Sequence, residues 1–176
     1  LSVSKHINSL PSNITKIVKS VKVESQYNFE SKAREIRYSL LNKISILNKI
    51  NYTFTGHHED DQLETLIMKF IDGGDLIPMS GIRKKRGNIY RPILGLSKKE
   101  IVKYAKKHNI VHFNDPTNQN LCFKRNKIRR LIFPIAIDDV FISNKIKSMN
   151  RKSLSMLDEA NKNIKINLQD ALEKKE

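Results

Sequence analysis

The chain has 176 residues, enough to bury roughly 70% of its unfolded surface without help from metals or cross-links, and its single cysteine, Cys122, excludes an internal disulfide framework and a cysteine-clustered zinc site. Lys and Arg total 33 against 18 Asp and Glu, a net charge of +15 that favours a polyanionic partner, nucleic acid first. No stretch approaches the roughly 20 apolar residues of a membrane span and no secretory leader is readable, so the expected setting is intracellular, cytoplasmic or organellar, with no membrane partner.

Residues 14–23 alternate imperfectly between β-branched and polar side chains and predict a short strand. From Phe29 the period changes: Phe29, Ala33, Ile36, Leu40, Ile44 and Leu47 recur every three or four residues, one face of a helix running to about Asn48. Asn51 to Gly56 is β-branched and aromatic and predicts a strand. A second helix begins near Asp60, with Leu63, Leu66, Ile67 and Phe70 on one face, and stops before Gly73-Gly74. Residues 74–96 contain the cluster Arg83-Lys84-Lys85-Arg86 and predict loops, a hairpin and a short strand near Tyr90 to Leu94. Ser97 and Glu100 have capping-box spacing ahead of a helix that ends near Asn109. A basic helix is expected from about Leu121 to Leu131, limited by Pro134, and mostly helical structure from Asp138.

Strand, helix, strand, helix is the order of an α/β unit with a parallel sheet, and few strands are readable, so the chain is expected to be the later part of such a fold. Two units are expected: a partial catalytic domain over residues 1–134 and a helical C-terminal extension over 135–176. The charge is concentrated: between Met79 and Arg130 there are 15 Lys or Arg against only Glu100 and Asp115.

Chemistry is expected where the strand ending at Gly56 meets the next helix, through His57-His58-Glu59-Asp60-Asp61-Gln62-Leu63-Glu64. In open α/β sheets that edge is the usual ligand site, and a helix N-terminus with nearby carboxylates suits an anion and its divalent cation. Asp61 and Glu64, three apart, also read as a cap pair, so Glu64 has a plain structural reading. Zinc is disfavoured, because the helical His-Glu-x-x-His spacing is absent and a third ligand would have to come from elsewhere. His58 reads instead as a polar contact that positions a phosphate or an acidic side chain.

The string GHHEDDQLET at Gly56–Thr65 resembles a signature of the tRNA(Ile)-lysidine synthase family, within the PP-loop ATP pyrophosphatase superfamily. The resemblance extends in order through Phe29–Tyr38, Gly73–Ile82, Arg91-Pro92-Ile93-Leu94, Asn114–Asn118 and Arg125-Asn126-Lys127-Ile128-Arg129, covering roughly Phe29 to Pro134. It implies a Rossmann-like, adenine nucleotide alpha hydrolase-like domain that uses ATP and Mg2+ to ligate free L-lysine to C2 of the wobble cytidine of tRNA(Ile). It implies catalytic roles for His58, Asp60, Asp61 and Arg91, with Asp61 the residue for Mg2+ or the lysine amine. Arg34, Arg37, Arg83, Arg125, Asn126 and Arg129 are implied contacts to substrate or RNA, and Asp115 and Asn118 structural supports of the loop before the basic helix. For Arg34, Arg37, Arg125 and Arg129 the alternative is structural anchoring.

One departure is specific. The family's ATP-binding floor is a Ser-Gly-Gly-x-Asp-Ser turn, and among the six glycines here only Gly73 and Gly74 are adjacent, after the histidine signature. The expectation is a chain lacking the N-terminal PP-loop, supplied by a complementary N-terminal fragment. The alternatives are a non-catalytic basic RNA-binding remnant and another PP-loop tRNA modifier; the paired cysteines of thiolase-like members are absent.

Overall fold

The computed structural model describes residues 11–23, 29–73, 78–112, 124–132 and 139–173, together with Ile7 and Pro134. The elements are α1 (Phe29–Leu47), β1 (Thr53–Phe54), α2 (Glu59–Ile71), a 3-10 turn (Pro78–Ser80), β2 (Lys85–Arg86), β3 (Ile89–Tyr90), α3 (Lys98–Lys107), α4 (Lys124–Leu131) and α5 (Val140–Glu173). The sheet has the order β1-β3-β2. β1 runs parallel to β3, with Thr53 opposite Ile89 and Phe54 opposite Tyr90, and α2 lies in the crossover between them. β2 and β3 form an antiparallel hairpin turned by Gly87-Asn88, where Gly87 holds φ +58°, a value glycine adopts without penalty. The fold is thus the Rossmann-like α/β arrangement with a parallel strand pair that the element order suggests.

The core forms where α2, α4 and α5 meet. Leu63 and Ile67 of α2 pack on Ile128 of α4, with Met68 and Ile146 against them. Burying each such aliphatic side chain contributes roughly 1.5–3 kcal/mol, so this small cluster is a main source of cohesion. Leu66, Met79, Ile82 and Leu94 are also buried. Gln62 fastens the 3-10 turn region to α2 and α5: its Oε1 accepts the Ile82 amide at 2.6 Å and its Nε2 donates to Asn150 Oδ1 at 3.3 Å. Asn150 in turn donates to the Met79 carbonyl at 2.8 Å.

Three expectations are corrected. Residues 15–23 form no strand; Ile17, Val18 and Val21 stay exposed, and β-branched residues without a partner strand have nothing to pair with. The strand expected from Tyr90 to Leu94 is Ile89–Tyr90, because Pro92 and Gly95 turn the chain at once. Phe70 is 65% exposed rather than part of the apolar face of α2. The long helices match their periodicity, and the Ser97–Glu100 box is present with both reciprocal bonds. The expected stop at Gly73-Gly74 is seen in part: α2 ends at Ile71 and Gly73 takes φ +70°, while Gly74 lies outside the described residues.

Candidate active site

β1 delivers the chain to the N-terminus of α2, and the side chains that follow diverge. His57 accepts or donates a 2.9 Å bond between Nδ1 and Thr55 Oγ1, and its imidazole is half-buried. His58 is the residue before the helix. Its amide donates to Asp61 Oδ2 at 3.0 Å, and its ring lies 3.5 Å from the same carboxylate and 3.9 Å from Asp60 Oδ1. Asp61 is therefore the acid that caps α2, at the third helical position, and it caps His58 rather than pairing with Glu64. The expected Asp61–Glu64 cap is corrected: Glu64 lies one turn further along and is 1% exposed.

Glu64 is the buried counter-ion of two arginines. Arg125 Nε donates to its Oε2 at 2.7 Å; Arg129 donates to Oε1 from Nε at 2.6 Å and to Oε2 from Nη2 at 2.9 Å. Arg125 Nη2 also reaches Asp61 Oδ1 and the Asp61 carbonyl, both at 3.3 Å. Arg125 and Arg129 do lie one turn apart on one face of α4, but that face is turned to α2. The bond to Glu64 raises Arg129 above its ordinary range against the opposing effect of burial. Asn126 is 8% exposed, so its side chain faces the interior and not a polyanion, a correction to its expected RNA contact.

Asp60, expected to be catalytic, has a different task. Its Oδ1 accepts the Lys98 amide at 2.9 Å, so it satisfies an amide in the first turn of α3 from outside that helix. Arg91, 4% exposed, donates to the Arg83 carbonyl at 2.7 Å and to the Tyr38 hydroxyl at 3.1 Å, pinning the hairpin to α1. Its Nε is buried with no hydrogen-bond partner among the described residues. Arg34 donates to the same hydroxyl at 3.3 Å and lies over the Tyr38 ring. Arg37 and the Arg83 side chain are exposed. Asp115 and Asn118 lie outside the described residues.

Three guanidiniums, Arg34, Arg91 and Arg125, thus converge on the corner where β1 meets α2. Burial lowers the affinity of Arg34 for its proton; Tyr38 opposes this, and Arg125, Arg91 and Arg37 push it lower. Burial likewise lowers His57 below the ordinary imidazole range; Asp61 opposes, and Arg91, Arg34 and Arg125 reinforce the lowering. The His57 ring is held neutral in a positive field, next to a carboxylate. The sequence pattern draws attention to His58 and leaves His57 only a metal ligand's part. Its partner Thr55, two residues before it, is the signal that was available.

A cluster of cations fits an anionic group such as a phosphate chain. A magnesium cage does not form: both Asp61 oxygens are already bonded, and among the described residues no group of three His, Cys, Asp or Glu assembles. The expected Mg2+ role of Asp61 is corrected accordingly.

An α/β protein with an anion-accepting corner at the C-terminal end of a parallel strand is the class these features define. A PP-loop domain model matches residues 2–136, and the chain belongs to that family. It is similar to tRNA(Ile)-lysidine synthases: 37% identical over 109 residues to that of Lactiplantibacillus plantarum, which covers 60% of this chain and 24% of the relative. It is 38% identical over 117 residues to that of Bacillus cereus, covering 63% and 25%, and 37% over 124 residues to that of Borreliella afzelii, covering 70% and 28%. The chain spans about a quarter of the length of these relatives. Among solved structures it resembles the U34-tRNA thiolase NcsA from Methanococcus maripaludis with its 4Fe-4S cluster, with a TM-score of 0.56 at 19% identity over 85% of this chain and 48% of that one, a likeness of fold.

Proposed function

We propose that this chain is part of a PP-loop tRNA-modifying enzyme that ligates lysine to C2 of the wobble cytidine of tRNA(Ile), with ATP as the activating substrate. The observation that carries the reading is the convergence of Arg34, Arg91 and Arg125 on His57 and Asp61 at one helix N-terminus. In such a reaction ATP adenylates the cytidine C2 oxygen, and the lysine ε-amine then displaces AMP. The developing negative charge needs fixed cations opposite it, which the arginine corner supplies. Asp61, a carboxylate held by the His58 amide and Arg125, orients the lysine ammonium; His58 fixes Asp61 from the other side. Arg91 acts as a positioning residue through Tyr38 and the hairpin. Mg2+ arrives with the phosphates of ATP.

The sequence has no Ser-Gly-Gly turn to wrap amides around a pyrophosphate, so the loop is supplied by a segment beyond these residues, in the same polypeptide or another. tRNA is held by the outward side of the basic middle segment, where Arg83, Lys84, Lys127 and Arg130 are exposed. The setting is cytoplasmic or organellar; among the described residues no helix is long and apolar enough to cross a membrane. The boundary between catalytic domain and C-terminal extension is proposed to fall at residue 134.

The test is incorporation of labelled lysine into a tRNA(Ile) transcript by the chain joined to a glycine-loop segment. ATP-dependent label at the wobble cytidine is expected. Salt-sensitive tRNA binding without any ATP-dependent label would replace the ligase reading with that of a non-catalytic RNA-binding module.

A further inference from the structure

The two edges of the sheet are built differently. On the outer edge, β2 carries Lys85 and Arg86, both exposed, the charged and short kind of strand that ends a sheet. On the other edge, no strand among the described residues pairs with β1, and its own two residues, Thr53 and Phe54, carry no charge. The amides of Thr53 and Thr55 donate to Asn88 and Tyr90 at 2.8 and 3.0 Å, so alternation along the strand turns the Phe54 amide toward that open side. The faces are equally unlike. α1 covers one of them, where Ser45 Oγ meets Thr53 Oγ1 at 3.0 Å. On the other, Tyr52 and Phe54 are 59% and 67% exposed and pack on Tyr90, beside a hollow of about 360 Å³. Ile46 and Leu47, at the end of α1 that leads into β1, are 69% and 72% exposed. Parallel sheets are ordinarily covered on both faces, so a bare aromatic face next to an open parallel strand marks where more chain packs.

We infer that the open edge of β1, with the aromatic face of Tyr52, Phe54 and Tyr90, is the docking surface for a strand–glycine loop–helix segment that carries the phosphate-binding turn. The inference rests on the proposed reading and names the surface that reading requires. A strand added parallel to β1 ends at the same sheet edge as β1. Its C-terminal turn then lies beside the corner of Arg34, Arg91 and Arg125, where cations are present and an amide cradle is wanting. The helix after the turn covers the aromatic face, and one of its apolar side chains fills the hollow. The relatives, about four times as long as this chain's match to them, have ample chain for such a segment.

The probe is a recombinant strand–Ser-Gly-Gly-x-Asp-Ser–helix segment of a lysidine synthase, mixed with the chain as given and followed by calorimetry and light scattering. A 1:1 complex with Kd at or below about 10 μM is expected. Phe54→Pro removes the outward amide and should weaken the complex on the order of 30-fold, while Lys85→Glu on the opposite edge leaves it unchanged. Should Phe54→Pro lose its folded melting transition, Phe54→Lys and Leu47→Lys test the same surface, with the same weakening expected. No complex at about 100 μM, or a complex indifferent to these variants, overturns the proposal. So does a homodimer of the chain alone that Phe54→Pro or Phe54→Lys dissolves, which would give the face to a second copy. Because the readout is complex formation, it is independent of lysine incorporation: a ligase that forms through another surface, or a complex without ligation, separates the two claims.

Discussion

Glu64 stands in the second turn of α2, and its neighbours in sequence suggest nothing beyond a contribution to the helix start. Its actual partners, Arg125 and Arg129, are 61 and 65 residues away, and no local pattern connects them. A buried carboxylate that balances two guanidiniums is costly to neutralise, since the cations then lose their partner while remaining largely desolvated. Glu64→Gln is expected to lower stability by about 3 kcal/mol, read as a shift in urea midpoint at unchanged slope. His57 gives a pH signature. It binds a proton more weakly in the folded chain than the ordinary value near 6.5, so the unfolded state takes up the extra proton as pH falls. Stability is intact above about pH 6.5 and declines below it, down toward the lowered folded value. In His57→Gln the part of the pH dependence between about pH 5 and 7 should flatten, measured by urea unfolding across that range. An unchanged profile would mean that His57 titrates as freely when folded as when unfolded.

At the scale of elements, the helices are legible in the sequence and the strands are not, for one physical reason. A helix as long as α1 repeats its apolar period several times, and its half-buried positions, Ala33, Ile36, Leu40 and Ile44, are the ones that period marks. Strands of two residues are shorter than the alternation that would reveal them, so the pattern shifts β3 toward Leu94 and makes a strand of an unpaired β-branched run. The roles of Asp60 and Arg91 are hidden similarly: each acts on another element, Asp60 on the first turn of α3 and Arg91 on α1 and the hairpin. The α2–α4 junction permits a sharper test of what the basic helix does. Arg125→Ala with Arg129→Ala strands Glu64 in the interior and should cost about 3 kcal/mol or more, whereas adding Glu64→Met removes the orphaned charge and should restore most of that stability in the same melt. By contrast, Lys127→Ala with Arg130→Ala, on the exposed side of α4, should leave the melt nearly unchanged. It should shallow the slope of log tRNA affinity against log salt by roughly 0.7–0.9 for each phosphate no longer neutralised. The opposite result, with the inward pair setting the salt slope in a rescued fold, would return RNA recognition to Arg125 and Arg129.

The molecule as a whole is an asymmetric assembly. One end of its sheet is closed by a charged hairpin, the other is open and aromatic, and the cationic corner lies at the end of the strand that forms the open edge. Charge, fold and corner agree with a PP-loop enzyme acting on a nucleic acid, and the corner, not the net charge, makes the reading specific. Asp61 is its most exacting element, because it caps α2 through His58, meets Arg125, and is the carboxylate left to meet the lysine ammonium. The decisive measurement is the single-turnover rate of labelled lysine transfer to tRNA(Ile) by Asp61→Asn, made in the chain joined to its glycine-loop segment and paired with a thermal melt. Asparagine keeps an oxygen for the His58 amide but not the charge, so the fold should hold and tRNA should still bind. The rate is expected to fall at least about 100-fold, on the order of 2.7 kcal/mol of transition-state stabilisation. A rate near that of the unsubstituted protein, in a variant that melts normally, would make Asp61 a helix cap alone and contradict the account of the corner.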